Sequence, residues 1–179
     1  MHPKTPDEQQ AANEVSHRFV LDEATIRLVQ ETHALVHCIA GTAGTIFYMY
    51  LFEQYPQVCT LFMEDINILK LKYMTTLRSM VNALDQPHSL TILVQQLAQQ
   101  TITCCVLVEH TDEIEAALVR SLHIALGPAF TAEVRAAWVA AYRCVVALIG
   151  HAHKALECSK KCERRPSGAT SITHTTSST

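Results

Sequence analysis

The sequence predicts an all-α fold in a single domain, and three observations predict it. Apolar residues recur at 3.6-residue spacing from Asp22 to about Leu156. No stretch alternates apolar and polar with the period of a half-buried strand. Glycine and proline are scarce, at five and six in 179 residues, which disfavours a turn-rich β sandwich.

Composition narrows the class further. A chain of this length buries a full core, and its charged fraction of 17% is low beside an apolar fraction of 49%. A net charge of −3 supplies no electrostatic reason to bind nucleic acid or an anionic membrane. No window reaches the roughly 20 apolar residues of a membrane span. The opening "MHPKTPDEQQAANEVSHRF" lacks a basic start followed by an apolar core, so no secretory signal is read there. Seven cysteines without such a signal suit reduced thiols in the cytoplasm. The expected organisation is a polar arm over 1–20, one domain over 21–157, and a disordered Ser/Thr-rich tail over 158–179.

Each element follows from its own pattern. Ile26, Val29, His33 and Val36 mark a first helix, expected to end near "AGTAG". Ile46, Phe47, Tyr50 and Leu51 mark a second, stopped before Pro56 because a residue preceding proline avoids the α region. A short corner, "PQVCTLF", follows. Ile66, Leu69, Tyr73, Leu77, Met80 and Leu84 form an amphipathic stripe that "LDQPHS" breaks. Leu90, Leu93, Leu97, Thr101, Cys104 or Cys105, and Val108 predict one further continuous helix. Asp112 and Glu115 stand in capping-box spacing ahead of the stripe Ile114, Leu118, Ser121/Leu122 and Ala125, which "GP" terminates. Thr131 caps the last and longest helix, with Glu133 in its first turn. Its inward stripe is Val134, Ala137/Trp138, Ala141, Val145 and Leu148/Ile149.

Two stretches carry a family resemblance. "TIFYMYLFEQYPQVCTLF" over 45–62 resembles the second helix and following corner of a globin, in the bacterial and flavohaemoglobin-like branch. "EHTDEIEAALVRSLHIALGPAFTAEVRAAWVAAY" over 109–142 is similar to the last two helices of that branch, with its LG-x-x-F-T corner and A-W-x-x-x-Y. The resemblance covers about residues 22–150 and implies a globin fold of six to eight helices, haem as cofactor, and a diatomic gas as its ligand.

Carried over by position, Phe62 matches the corner phenylalanine that packs on the haem face, and Pro56 the proline opening the short third helix. Tyr48 falls where this branch keeps a distal tyrosine that hydrogen-bonds bound ligand. Leu69 falls where a distal Gln or His is usual, so an apolar gate is expected there. Lys72, like Lys70, is either solvated or a partner for haem propionates. Thr101 falls at the proximal histidine, the iron ligand, and is the departure that matters.

A neutral threonine hydroxyl is a poor ligand beside the His, Cys, Met or Tyr that hold haem iron. Its methyl is expected to pack while its hydroxyl bonds back to the carbonyl of Leu97. On a continuous helix Cys104 lies ~60° from the Thr101 direction and Cys105 ~40° on the other side. Both are candidate substitute ligands, and ordinary buried packing is the alternative for each. Reaching iron from Cys105 requires the helix to slide by ~6 Å.

Other constellations are weaker. His151, Cys158 and Cys162 can share a helix face and present three zinc-type ligands, although the spacing matches no standard zinc pattern. Lys160, Lys161, Arg164 and Arg165 form a small basic patch at a helix end. Glu113 and Glu115 are expected on a solvated face. No Ser-His-Asp order, phosphate loop or nucleophile elbow is present, so a binding protein rather than an enzyme is expected. Two function classes remain at this point. One is a haem globin that binds, senses or reacts with a gas through a non-standard iron site. The other is a haem-free interaction module, with an apolar ligand in the former pocket and a protein partner or second copy of the chain.

Overall fold

In a computed structural model, which describes residues 21–37, 40–62, 64–100 and 106–163, every described regular element is a helix. Helix α1 (Glu23–His37) starts at Asp22, whose carboxylate accepts from the Thr25 backbone N–H at 2.7 Å and the Thr25 hydroxyl at 2.8 Å. Those two bonds hold the Asp22 carboxyl below its ordinary range. Val29, His33 and Val36 are buried, as the spacing predicts.

Helix α1 ends at His37, near "AGTAG" as expected, but that stretch is not itself a break: α2 (Ala40–Gln54) begins there and runs straight through it, and residues 38–39 lie outside the described residues. Glycine is a poor helix former, but here the small residues face a neighbour. A Cβ on Gly44 would lie 3.5 Å from Lys70 Cβ and 3.5 Å from Met74 Cγ, in helix α4 (Ile66–Ala83). Packing between α2 and α4 has overridden local propensity. Between them, Tyr55 leaves helical dihedrals at φ −131° before Pro56, which opens the short α3 (Pro56–Cys59). Asp65 caps α4 by accepting from the Asn67 N–H at 2.8 Å.

A second expectation also fails. Helix α5 (Pro87–Gln99) ends at Gln99, and Gln100 has φ −81° and ψ 82°, outside the α region. Residues 106–109 are helical again. The predicted continuous helix from Leu90 to Val108 is therefore interrupted, and the angular placement of Cys104 and Cys105 loses its basis. Thr101, Cys104 and Cys105 themselves lie outside the described residues.

Helix α6 (Thr111–Leu126) starts one residue before the predicted capping box, so Asp112 sits inside its first turn rather than at its cap. Glu113 approaches His110 Nδ1 at 3.4 Å, and Glu115 forms a two-pronged pair with the Arg143 guanidinium, one prong at 3.1 Å. Neither carboxylate is simply solvated; the Glu115 side chain is only 13% exposed. Gly127 ends α6 with φ +53°, a conformation that favours glycine. A single 3-10 turn, Gly127–Ala129, leads to α7 (Ala132–Glu163). Thr131 caps α7 as predicted: the Val134 N–H donates to its hydroxyl at 3.3 Å. The Glu133 carboxylate bonds with the same hydroxyl and is held below its ordinary range. Helix α7 continues to Glu163, past the expected boundary at residue 157.

The helices wrap one core. Helix α2 crosses α6 and α4, while α7 packs on α1 and α5. Trp138 of α7 donates its indole N–H to Thr32 of α1 at 2.9 Å, and that hydroxyl itself bonds the Leu28 carbonyl at 2.7 Å. No single helix among the described residues is long and apolar enough to cross a membrane.

Thr131→Ala removes the α7 cap and is expected to cost about 1 kcal/mol in urea unfolding. Gly44→Ala is expected to raise stability by about 0.5–1 kcal/mol in the same measurement, since its methyl meets only ordinary contacts.

Candidate functional site

The candidate site grows from the aromatic positions of α2 and α4. At Phe47 and Tyr73 the two helices are close enough for face-to-face stacking, with centroids 4.0 Å apart and planes 16° from parallel. Tyr48, next to Phe47, is turned edge-on to Phe47 at 5.0 Å and to Tyr73 at 6.0 Å. Phe62, from the corner after α3, meets the Tyr48 ring in a T-shape at 5.8 Å. Such edge-to-face pairs fix ring direction as well as burying area. Tyr48 is 6% exposed and Leu69 7% exposed, and both belong to the same buried cluster, with Phe62 packed against it. The structure thus brings together Tyr48 and Phe62, and buries Leu69 in the same core.

It does not bring Lys72 with them. The Lys72 ammonium lies in solvent, 61% exposed, and grips both oxygens of Glu64 at 2.6 and 2.7 Å. Glu64 has a second effect. Burial, and then its negative charge, push the Tyr48 phenol far above its ordinary pKa. Tyr48 is therefore a neutral O–H donor throughout the physiological range.

Behind Tyr48 runs a buried polar seam that sequence reading missed. The Tyr73 hydroxyl bonds with Ser121 of α6, whose own hydroxyl donates to the Leu118 carbonyl at 2.8 Å. The Tyr142 hydroxyl of α7 is buried with no hydrogen-bond partner, and lies in the field of Glu115 and Tyr73. Burial raises the pKa of both phenols strongly and keeps them neutral. Ser121, at a helical core position and fully buried, was the available signal: a hydroxyl there needs a partner.

His153 was also passed over. It sits one turn after Ile149 on the inward stripe of α7, partly buried, with Nδ1 2.9 Å from the Ala98 carbonyl oxygen of α5. By contrast, His151 and Cys158 are exposed, and the Cys162 side chain lies outside the described residues. Among the described residues no group of three or more His, Cys, Asp or Glu side chains could hold a metal ion. A separate surface groove of about 300 Å³ beside α6 is lined by charges of both signs, including Arg120, Arg135, Asp112 and Glu115.

An all-helical domain with an aromatic second helix, a corner phenylalanine and a long last helix packed on the first defines the class, a single-domain α fold wrapped on one core. The globin family model matches residues 45–149, more than half of the chain. The chain belongs to the globin family. No match was found among curated proteins.

Globins commonly hold haem, and the donor set allows the fit to be tested. A haem needs an apolar slot, a ring against its face, a donor to its bound gas and a base for its iron. Phe62 supplies a ring, the neutral Tyr48 hydroxyl a donor, and Leu69 an apolar side chain in the same core. Thr101, Cys104 and Cys105 lie outside the described residues, while His153 offers an imidazole nitrogen beside the end of α5. The described residues fit the group.

The three buried phenols set a sign for alkaline stability. Their folded ionisation lies above the unfolded value, so the stabilisation is complete below about pH 10 and declines as pH rises beyond it. Urea midpoints should be lower at pH 11 than at pH 8, and Tyr73→Phe should lessen that drop.

Proposed function

We propose that this globin binds haem and, through it, a diatomic gas, with an iron site that does not use the usual proximal position. The observation that carries the reading is the edge-to-face contact of the buried Tyr48 with the corner Phe62, 5.8 Å apart, in a chain of the globin family. In this reading Phe62 would pack against the haem, Leu69 would serve as an apolar gate, and Tyr48 would donate its hydroxyl hydrogen to the bound gas. Haem, when bound, supplies the iron that takes the gas. Cys104 and Cys105 are the thiol alternatives for the iron, and Lys72, held by Glu64, stays a surface charge. Seven cysteines suit a reducing compartment such as the cytoplasm.

A haem-free interaction module is the second reading, and one observation favours it. Ile68 and Leu71, three residues apart on one face of α4, are 49% and 70% exposed. Exposed apolar side chains at that spacing suit a protein partner or a second copy of the chain.

Optical spectra of the full chain with added haemin separate the two. A stoichiometric Soret band that shifts on reduction and again with CO is expected, and its absence sinks the haem reading. In the haem-loaded protein Tyr48→Phe should speed gas release by about 5- to 10-fold, the worth of one hydrogen bond. An unchanged release rate would remove Tyr48 from the site.

A further inference from the structure

The end of α5 poses a specific chemical problem. The resemblance puts the iron ligand at Thr101, and α5 stops at Gln99, with Gln100 already outside helical dihedrals. A neutral hydroxyl binds haem iron poorly. An imidazole sits beside that helix end, on a different helix. His153 of α7 places Nδ1 2.9 Å from the carbonyl oxygen of Ala98, in the last turn of α5. A carbonyl only accepts, so Nδ1 carries the proton, and in the neutral ring Nε2 then carries the lone pair. That is the tautomer and the outer hydrogen bond of a metal-ligating histidine, whose second ring N–H is given to a carbonyl or carboxylate.

The other described imidazoles are placed elsewhere. His33 is buried against Trp138, with ring centroids 6.4 Å apart, between α1 and α7. His110 lies 3.4 Å from Glu113, and His123 stacks on Phe130 at 5.4 Å near the end of α6. His88 and His151 are exposed. His153 is hydrogen-bonded to the last turn of α5. We propose that His153 replaces the missing proximal histidine and holds haem iron through Nε2, its ring oriented by the Ala98 carbonyl. The proposal rests on the haem-binding reading and deepens it. It moves the iron ligand from the helix that normally carries it to the final helix, and it makes neither cysteine necessary.

The test uses the full chain, haemin as probe, and three variants. His153→Gln keeps a side-chain N–H for the Ala98 carbonyl but has no imidazole. His153→Gly leaves room for added imidazole, and His151→Ala is the control. Wild-type ferrous protein should show an iron–imidazole stretch by resonance Raman, unchanged in His151→Ala. In His153→Gln that band should vanish. Its haem affinity should fall by at least the roughly 10- to 100-fold typical of losing even an outer partner of a ligand. Free imidazole should restore the band in His153→Gly. Far-UV circular dichroism of the haem-free variants reports the fold separately. A thiolate-type wild-type spectrum, or an iron–imidazole band that survives in His153→Gln, overturns the proposal while leaving haem binding standing. Failure of the wild-type chain to take up haem overturns the haem-binding reading itself, and this proposal with it.

Discussion

The stack of Phe47 on Tyr73 is the contact on which the candidate site depends. It brings α2 and α4 within 4.0 Å at ring level, and it needs the small residues one turn earlier, where Gly44 lies against Lys70 and Met74. Tyr73 then reaches on to α6 through Ser121, so one side chain ties three helices. Tyr48 inherits its direction from this arrangement, because its neighbour Phe47 is already committed to the stack. Edge contacts from Phe47, Tyr73 and Phe62 leave its ring one orientation. A buried aromatic cluster of this kind supplies large burial per residue with few rotors to freeze.

Around that cluster the electrostatics divide cleanly. Charged groups pair at the rim: Lys72 with Glu64, Arg143 with Glu115, His110 with Glu113. Neutral hydroxyls go inside, where burial raises the pKa of Tyr48, Tyr73 and Tyr142 and keeps them as donors. The Tyr142 hydroxyl is buried with no hydrogen-bond partner among the described residues. Such groups cost about 1–3 kcal/mol and mark places where a fold serves something besides its own stability. Its position beside Tyr73 connects it to the same seam that backs Tyr48.

Much of the candidate site was legible in the sequence because its residues are local. Tyr48 and Phe62 stand on short motifs with fixed spacing around Pro56, and the buried stripe of α4 reads directly from Leu69, Tyr73 and Leu77. What was misread depended on contacts between distant segments. "AGTAG" looks like a turn until α4 packs against it. Glu115 looks solvated until Arg143, 28 residues on, reaches back to it. His153 looks like one more residue of a helix end until Ala98, 55 residues earlier, turns out to lie beside its ring. Periodicity ranks side chains as inward or outward, but it does not name the partner across the interface.

By itself the sequence determined the all-α class, the apolar faces, the Thr131 cap and the stop at Gly127, since each is a property of residues within a turn or two of one another. Family membership was legible for the same reason, through motifs that keep their order along the chain. Only the tertiary structure decided that α2 passes through its glycines, that α5 stops at Gln99, and that an imidazole from α7 meets that end. Those outcomes are set by helix-on-helix packing, in which burial and hydrogen bonds between segments far apart in sequence outweigh the roughly 1 kcal/mol preferences of single residues.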